Sequence, residues 1–287
     1  MTKRRILTAG DSSQLISELH ICDDQYLISC CTDNGSAVPV LKDNDLWFID
    51  ELFAIQLNYA LFYEGKIPVS FPGSGMYELL TSEDFRTARS LLRREIEVVS
   101  VAELKVNPKE GYYGSFDPGL RLVYPFRWRG AEEAIKDAMH QHLEDEELLL
   151  YSGEEYQYAR RYRVWFNSGE VQTSCMWDNY DLRNYIFPDK LAGSENEMER
   201  VNSYAQVFVD FLSRAGMTHG VFDVGMVHGG TLQVIEMVPV WSSSWHDGAL
   251  HKICQTLEKT FDDMEMTYLP SPTLTAKACS YPLIKVS

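Results

Sequence analysis

Two acids stand where acids are costly. The stretch Val221-Phe-Asp-Val-Gly-Met-Val-His-Gly-Gly-Thr-Leu-Gln-Val-Ile-Glu-Met-Val-Pro239 is mostly apolar, and its only carboxylates are Asp223 and Glu236. Gly229-Gly230 predicts a two-residue hairpin turn, because glycine supplies the positive φ that both central positions need. Asp223 lies six residues before that pair and Glu236 six residues after it. A two-residue turn therefore sets them directly across from each other on one face, with Cβ atoms roughly 4.5–5.5 Å apart. Like charges at that distance repel, so a buried pair either shares a proton or holds a cation. A hard divalent ion such as Mg²⁺ suits two oxygen donors. The competing readings are a slipped register and a carboxylate paired with a nearby arginine.

Other chemistry-bearing groups signal less. His140-Gln-His142 has i, i+2 spacing, which puts the imidazoles on different faces of a helix and argues against a shared metal. Ser242-Ser-Ser244 before Trp245-His246-Asp247 lacks the G-x-S-x-G elbow of a serine hydrolase. Ser243 and Asp247 are better read as lining a cleft or capping the helix that follows. Six cysteines show no CxxC spacing, so neither a zinc site nor a disulfide framework is signalled. Arginines concentrate in Leu120-Arg-Leu-Val-Tyr-Pro-Phe-Arg-Trp-Arg129, where guanidinium groups could recognise phosphate bidentately or be ordinary surface charges.

The elements that must position these groups alternate between strand and helix character. Arg4–Thr8, Gln25–Cys30 and Leu46–Asp50 read as strands, and Glu51–Tyr63 as a helix, which together make an α/β N-terminal lobe. A further helix is predicted from Ser82 to Arg94 and a strand over Glu95–Val101. The loop signals Asn107-Pro-Lys-Glu-Gly111 and Gly114-Ser-Phe-Asp-Pro-Gly119 then place a break at 106/107. Tyr112, Tyr113 and Phe116 in this glycine-rich stretch read as a lid or a partner surface. Beyond it come a strand over 120–129, a helix from Ala131 to His142, a strand at Glu147–Tyr151, a hairpin through Asn167-Ser-Gly-Glu170, and a long amphipathic helix from Glu195 to Ala215. The acid-bearing hairpin and a last helix from Gly248 to Met264 complete the pattern, which is that of an α+β fold.

Composition narrows the classes of partner. The 287 residues carry 26 Lys and Arg against 42 Asp and Glu, a net charge of −16. Such a surface repels a phosphate backbone and an anionic bilayer, which argues against nucleic-acid and membrane partners. No apolar run approaches the ~18–20 residues of a membrane span, and Met1-Thr-Lys-Arg-Arg5 leads into a strand rather than a signal-peptide core, so the expected location is cytoplasmic.

Several of these segments, taken in order, resemble the ATP-grasp superfamily, and within it the small ligase-like proteins of uncharacterised substrate. They are Glu147-Leu-Leu-Leu-Tyr-Ser-Gly153, Arg161-Tyr-Arg-Val-Trp-Phe-Asn-Ser-Gly-Glu-Val171, Phe222-Asp-Val-Gly225, Val234-Ile-Glu-Met-Val-Pro239 and Trp241-Ser-Ser243. The likeness covers about residues 118–265. It implies an ATP-grasp-like domain over 107–287, with antiparallel sheets flanked by helices in two lobes around a nucleotide cleft. A pre-ATP-grasp-like lobe would occupy 1–106. It implies ATP and Mg²⁺ as cofactors, with Asp223 and Glu236 on Mg²⁺. Glu147–Glu155 would be the hinge at adenine, where Tyr151, Glu154 and Glu155 meet the nucleotide. Arg127 and Arg129 would face phosphate, and Arg163 would point toward the γ-phosphate or an acyl phosphate as the catalytic group.

The chain departs from the family pattern at three places. Tyr124 stands where a lysine precedes proline, Val238 where an asparagine follows the second metal acid by two, and Arg161 where an acid precedes Arg163 by two. Two functional classes follow. One is an ATP-dependent carboxylate–amine ligase that works through an acyl phosphate on a small-molecule or peptide substrate. The other is a catalytically silent ATP-grasp-like protein acting as a binding or regulatory partner, for which a homodimer is one form.

Overall fold

The computed structural model describes residues 3–9, 25–31, 42, 44–49, 51–66, 69–73, 79, 96–117, 121–122, 128–140, 148–153, 158–179, 195–243, 248–263 and 267–268. In chain order the strands are β1 (Arg4–Ala9), β2 (Tyr26–Cys31), β3 (Leu46–Phe48), β4 (Phe71–Pro72), β5 (Glu97–Ser100), β6 (Tyr112–Asp117), β7 (Arg121–Leu122), β8 (Trp128–Arg129), β9 (Leu148–Ser152), β10 (Tyr158–Asn167), β11 (Glu170–Asn179), β12 (Gly220–Val227), β13 (Leu232–Val238) and β14 (Thr267–Tyr268). The helices are α1 (Glu51–Tyr63), α2 (Val101–Val106), α3 (Ala131–His140), α4 (Glu195–Arg214) and α5 (Leu250–Asp262). The fold class is α+β, as expected. The predicted helix at 82–94 lies outside the described residues. None of the described helices is long and apolar enough to cross a membrane.

The chain forms two compact units, one of residues 1–73 with 239–287 and one of 74–238. This division differs from the expected break at 106/107, and the reasons are local. β5 pairs antiparallel with β9, which ties residues before the break to the second unit. The C-terminal helix α5 is held to the first strands instead. Arg4 donates to Asp262 at 2.6 Å and the Tyr26 hydroxyl to Glu258 at 2.8 Å. The first unit contains the parallel sheet β2-β1-β3, whose hydrophobic Ile6, Leu7, Leu46 and Trp47 are buried. Trp241 is a packing residue there, fully buried, with its indole N–H donating to the Pro72 carbonyl at 2.8 Å.

The second unit contains two antiparallel sheets. In the sheet β5-β9-β6-β7, with β8 on β6, Tyr113 is fully buried opposite Tyr151. The glycine-rich stretch expected to be a lid or partner surface is therefore a strand, since Tyr112–Ser115 pairs with β9 and Phe116–Asp117 with β7, partners that local composition cannot reveal. Val101, expected to end a strand, starts α2 instead. Ser100 caps that helix reciprocally with Glu103, and the hydroxyl and backbone N–H of Ser100 hold the Glu103 carboxyl below its ordinary value.

The other sheet, β11-β10-β12-β13, carries the acids. One of its faces is the largest core of the unit. Tyr162, Val164, Phe166, Phe222, Val224, Met226, Val234 and Met237 pack with Val201, Ala205, Phe208, Val209 and Leu212 of α4. The α4 residues recur at helical spacing, and burying each large apolar side chain contributes about 1.5–3 kcal/mol. The opposite face holds the polar side chains. Gly225 lies on that face beneath the Tyr158 ring, and a Cβ there would clash with Cδ1, Cε1 and Cγ of the ring, the last at 2.7 Å. Gly225→Ala should therefore force Tyr158 aside and cost about 1–3 kcal/mol, read as a lowered midpoint in urea denaturation. An unchanged midpoint would show that the ring moves without cost.

Candidate functional site

Asp223 pairs across the ladder with Glu236, as expected from the spacing, but by a different path. The turn is not the two-residue turn predicted. Val227 donates to the Thr231 carbonyl at 3.0 Å, leaving His228-Gly229-Gly230 as a three-residue loop with φ of +100° and +85° at the glycines. From that loop an unbroken ladder would bring Ile235 opposite Asp223. A bulge instead makes Ile235 the extra residue between the pairs Val224↔Val234 and Asp223↔Glu236. Val234 and Met237 thereby both reach the core face, which strict period-two alternation forbids.

The neighbouring strands extend the pairing into a row across the sheet. Cys175 pairs with Arg163, Arg163 with Asp223, and Asp223 with Glu236. Arg163 is 2% exposed, Asp223 0% and Glu236 2%. Arg163 grips Asp223 as a fork, Nε donating to Oδ1 at 2.8 Å and Nη2 to Oδ2 at 2.9 Å. Of the readings left open by the sequence, the arginine-paired carboxylate is present, and the one-residue slip that the longer loop introduces is reversed by the bulge before it reaches Asp223. Burial, the largest effect, works against the charged guanidinium. The charge and hydrogen bonds of Asp223, then the charges of Glu236 and Cys175, prevail and hold Arg163 above its ordinary value.

Trp177 completes the face and was not singled out in the sequence. It is the extra residue of a second bulge, between the pairs Tyr162↔Met176 and Arg161↔Asp178. Its ring lies 5.4 Å from the Arg163 guanidinium carbon and 5.5 Å from that of Arg161. Such cation–π contacts contribute about 0.5–2 kcal/mol when partly desolvated. The hairpin at Asn167-Ser-Gly-Glu170 placed Trp177 near Arg161 and Arg163, but alternation alone could not show the bulge that aims it at both. Behind the row, on the core side, the Tyr162 hydroxyl donates to Glu197, which also pairs with Arg160. Burial and that hydrogen bond raise the phenol above its ordinary value.

The remaining predicted residues are dispersed. Arg129 is exposed on β8, where its backbone N–H donates to Glu133 at 2.9 Å. Tyr151 is half-buried on β9, and its hydroxyl donates to the Glu110 carbonyl at 2.9 Å beneath Lys109. Both belong to the other sheet. Arg127, Glu154, Glu155, Tyr124 and Asp247 lie outside the described residues. Ser243 is buried and its hydroxyl donates to the Val240 carbonyl at 2.8 Å, so it closes a local turn. The N-cap of α5 is Ala249, without a side-chain cap.

No family model and no curated protein matches the chain. Solved structures do. D-alanyl-alanine synthetase A from Vibrio cholerae is 12% identical over 92% of this chain and 100% of its own, with a TM-score of 0.47. N5-carboxyaminoimidazole synthase from Aspergillus clavatus, solved with ADP and 5-aminoimidazole ribonucleotide, is 12% identical over 95% and 79%, with a TM-score of 0.42. A RimK domain ATP-grasp protein from Sphaerobacter thermophilus is 12% identical over 91% and 98%, with a TM-score of 0.38. What the site does rests on its own residues.

Arg163 and Asp223 form a buried pair, and removing one partner leaves a charge uncompensated in a dry site. Arg163→Met and Asp223→Leu should each destabilise by about 3–5 kcal/mol, and the double variant by clearly less than their sum. Urea denaturation of the four proteins checks this. Additivity would show that the fork contributes no coupling.

Proposed function

We infer that the chain is an ATP-dependent ligase that joins a carboxylate to an amine or similar nucleophile through an acyl phosphate, with ATP and Mg²⁺ as cofactors. The observation that carries this reading is the buried pairing of Asp223 with Glu236 beside two arginines. Two opposed carboxylates in a dry site call for positive charge, and the cations available nearby are also the groups that recognise phosphate.

The donor set fits Mg²⁺, which is commonly held by one or two carboxylates together with substrate phosphates and water. Among the described residues no group of three or more His, Cys, Asp or Glu could hold a metal. Val238 is buried on the ladder and offers no ligand. Asp223 and Glu236 would therefore hold a cation that arrives with its nucleotide. When bound, Mg²⁺ would neutralise charge on the phosphates. Arg163, aligned by Asp223 and by the Trp177 face, is the group placed to offset charge on a transferring phosphoryl group, and Arg161 brings a second guanidinium to the same ring. Tyr151, anchored through its hydroxyl to Glu110, would leave the backbone of β9 to meet the base. A small molecule or a peptide is the substrate class, and the cytoplasm the expected compartment.

A second reading is favoured by two observations. The fork already supplies Asp223 with a counter-charge, and Val238 replaces a polar ligand. On that reading the chain is a catalytically silent ATP-grasp-like protein that binds a partner or a second copy of itself.

Calorimetric titration of a nonhydrolysable ATP analogue separates the two. Mg²⁺-dependent binding by the wild type, lost in Asp223→Asn and Glu236→Gln, is the expected result. A folded wild type that binds no analogue would sink the ligase reading and leave the binding partner.

A further inference from the structure

The same row of residues bears on how a cation could enter it. Both oxygens of Asp223 are engaged by the Arg163 fork, at 2.8 and 2.9 Å, and Glu236 stands directly across the ladder on the far side of Asp223 from Arg163. The fork leaves each carboxylate oxygen a further lone pair. A divalent ion using one of these would share a carboxylate with a guanidinium in a site where all three side chains are at most 2% exposed. Two cations so placed repel strongly where water is excluded. Arg163 has somewhere to go, because its guanidinium carbon already lies 5.4 Å from the centre of the Trp177 ring.

We propose that Arg163 is the resident counter-cation of the carboxylate pair and that a divalent ion takes Asp223 only when the fork opens, so that Arg163 sets the cation affinity of the site. The inference rests on the cation role given to Asp223 and Glu236 above. Binding is then an exchange of partners. Asp223 trades a guanidinium for the ion, and Arg163, still lying against Trp177, trades a carboxylate for the phosphate that arrives with the ion. Asp223 and Arg163 each keep an opposite charge before and after. Without nucleotide the exchange is unfavourable, because the released guanidinium has no anion to meet. Arg163 acts here as a positioning residue that keeps the acids from binding a cation on its own.

The test is Mn²⁺ alone, titrated into the full chain without nucleotide and followed by the electron paramagnetic resonance signal of the free ion. The apparent dissociation constant is the intrinsic one divided by the fraction of open forks, so removing the fork should tighten Mn²⁺ binding by about tenfold or more in Arg163→Met. The gain should vanish in Arg163→Met/Asp223→Asn. Arg161→Met removes a positive charge from the same face two residues along the strand, opposite Gly225, and should tighten binding less. Equal tightening in Arg161→Met and Arg163→Met would mean that only the field of one charge matters. Unchanged binding in Arg163→Met would mean that the fork does not compete, and either outcome overturns the proposal. A purely structural Arg163 would lower stability without improving cation affinity. Should Arg163→Met not fold, Arg163→Lys keeps the charge and loses the fork, and it too should bind Mn²⁺ more tightly than the wild type; equality there also overturns the proposal. Since no nucleotide is present, the predicted Mn²⁺ series in a chain that ignores the ATP analogue keeps this inference and sinks the ligase reading. Analogue binding with no Arg163 effect on Mn²⁺ does the reverse.

Discussion

The row Cys175, Arg163, Asp223, Glu236 is the constraint on which the sheet around it depends. Charged groups removed from water must meet opposite charge at hydrogen-bonding distance, and a β-sheet achieves this only in one register. A slip by one residue on β10 or β12 would take Arg163 off Asp223 and send one of them into the apolar core. The fork therefore restricts the alignment of β10 with β12. Two bulges sit beside the row, with Trp177 the extra residue of one and Ile235 of the other. The first aims Trp177 at two guanidinium groups and the second sets Glu236 opposite Asp223, as bulges re-aim side chains.

The cost of that face is offset on the other one. Phe166, Phe208 and Phe222 pack behind the row, Phe208 edge-to-face on Phe222 with centroids 5.0 Å apart and Phe166 tilted against Phe222 at 5.8 Å. This packing sits on long antiparallel strands and on α4, so the backbone beneath Arg163 and Asp223 is held rigidly. A rigid sheet that presents acids, guanidinium groups and an indole on one face suits recognition of a charged ligand, because little ordering remains to be done at the moment of binding. Arg161 brings a second guanidinium to that face through the Trp177 ring, and Val238 is buried two residues beyond Glu236.

Much of this was legible in the sequence, and the residues show why. α1 spans Glu51–Tyr63 as predicted from its apolar-rich run, and α4, with apolar residues at helical spacing before Gly216, ends within a residue of its predicted C-terminus, because these are local signals. The hairpin at Ser168-Gly169 was read for the same reason, both residues having positive φ. The opposition of Asp223 and Glu236 was also anticipated, although through a shorter turn without a bulge. One residue more in the loop and one extra residue in the strand leave the same two acids facing each other.

What the sequence determined by itself was therefore the acid-bearing hairpin, the strand and helix types around it, and the excess of negative charge that disfavours nucleic acid. The tertiary structure alone decided which arginine answers Asp223, since Arg163 lies 60 residues away and nothing local links the two. It also decided that Tyr113 belongs to a buried strand, that Trp177 lies against two guanidinium groups, and that the C-terminal helix joins the first strands. Each of these depends on pairing between distant segments. Such pairing is set by the competition of whole strands for partners and by the burial of charge, quantities that no window of sequence contains.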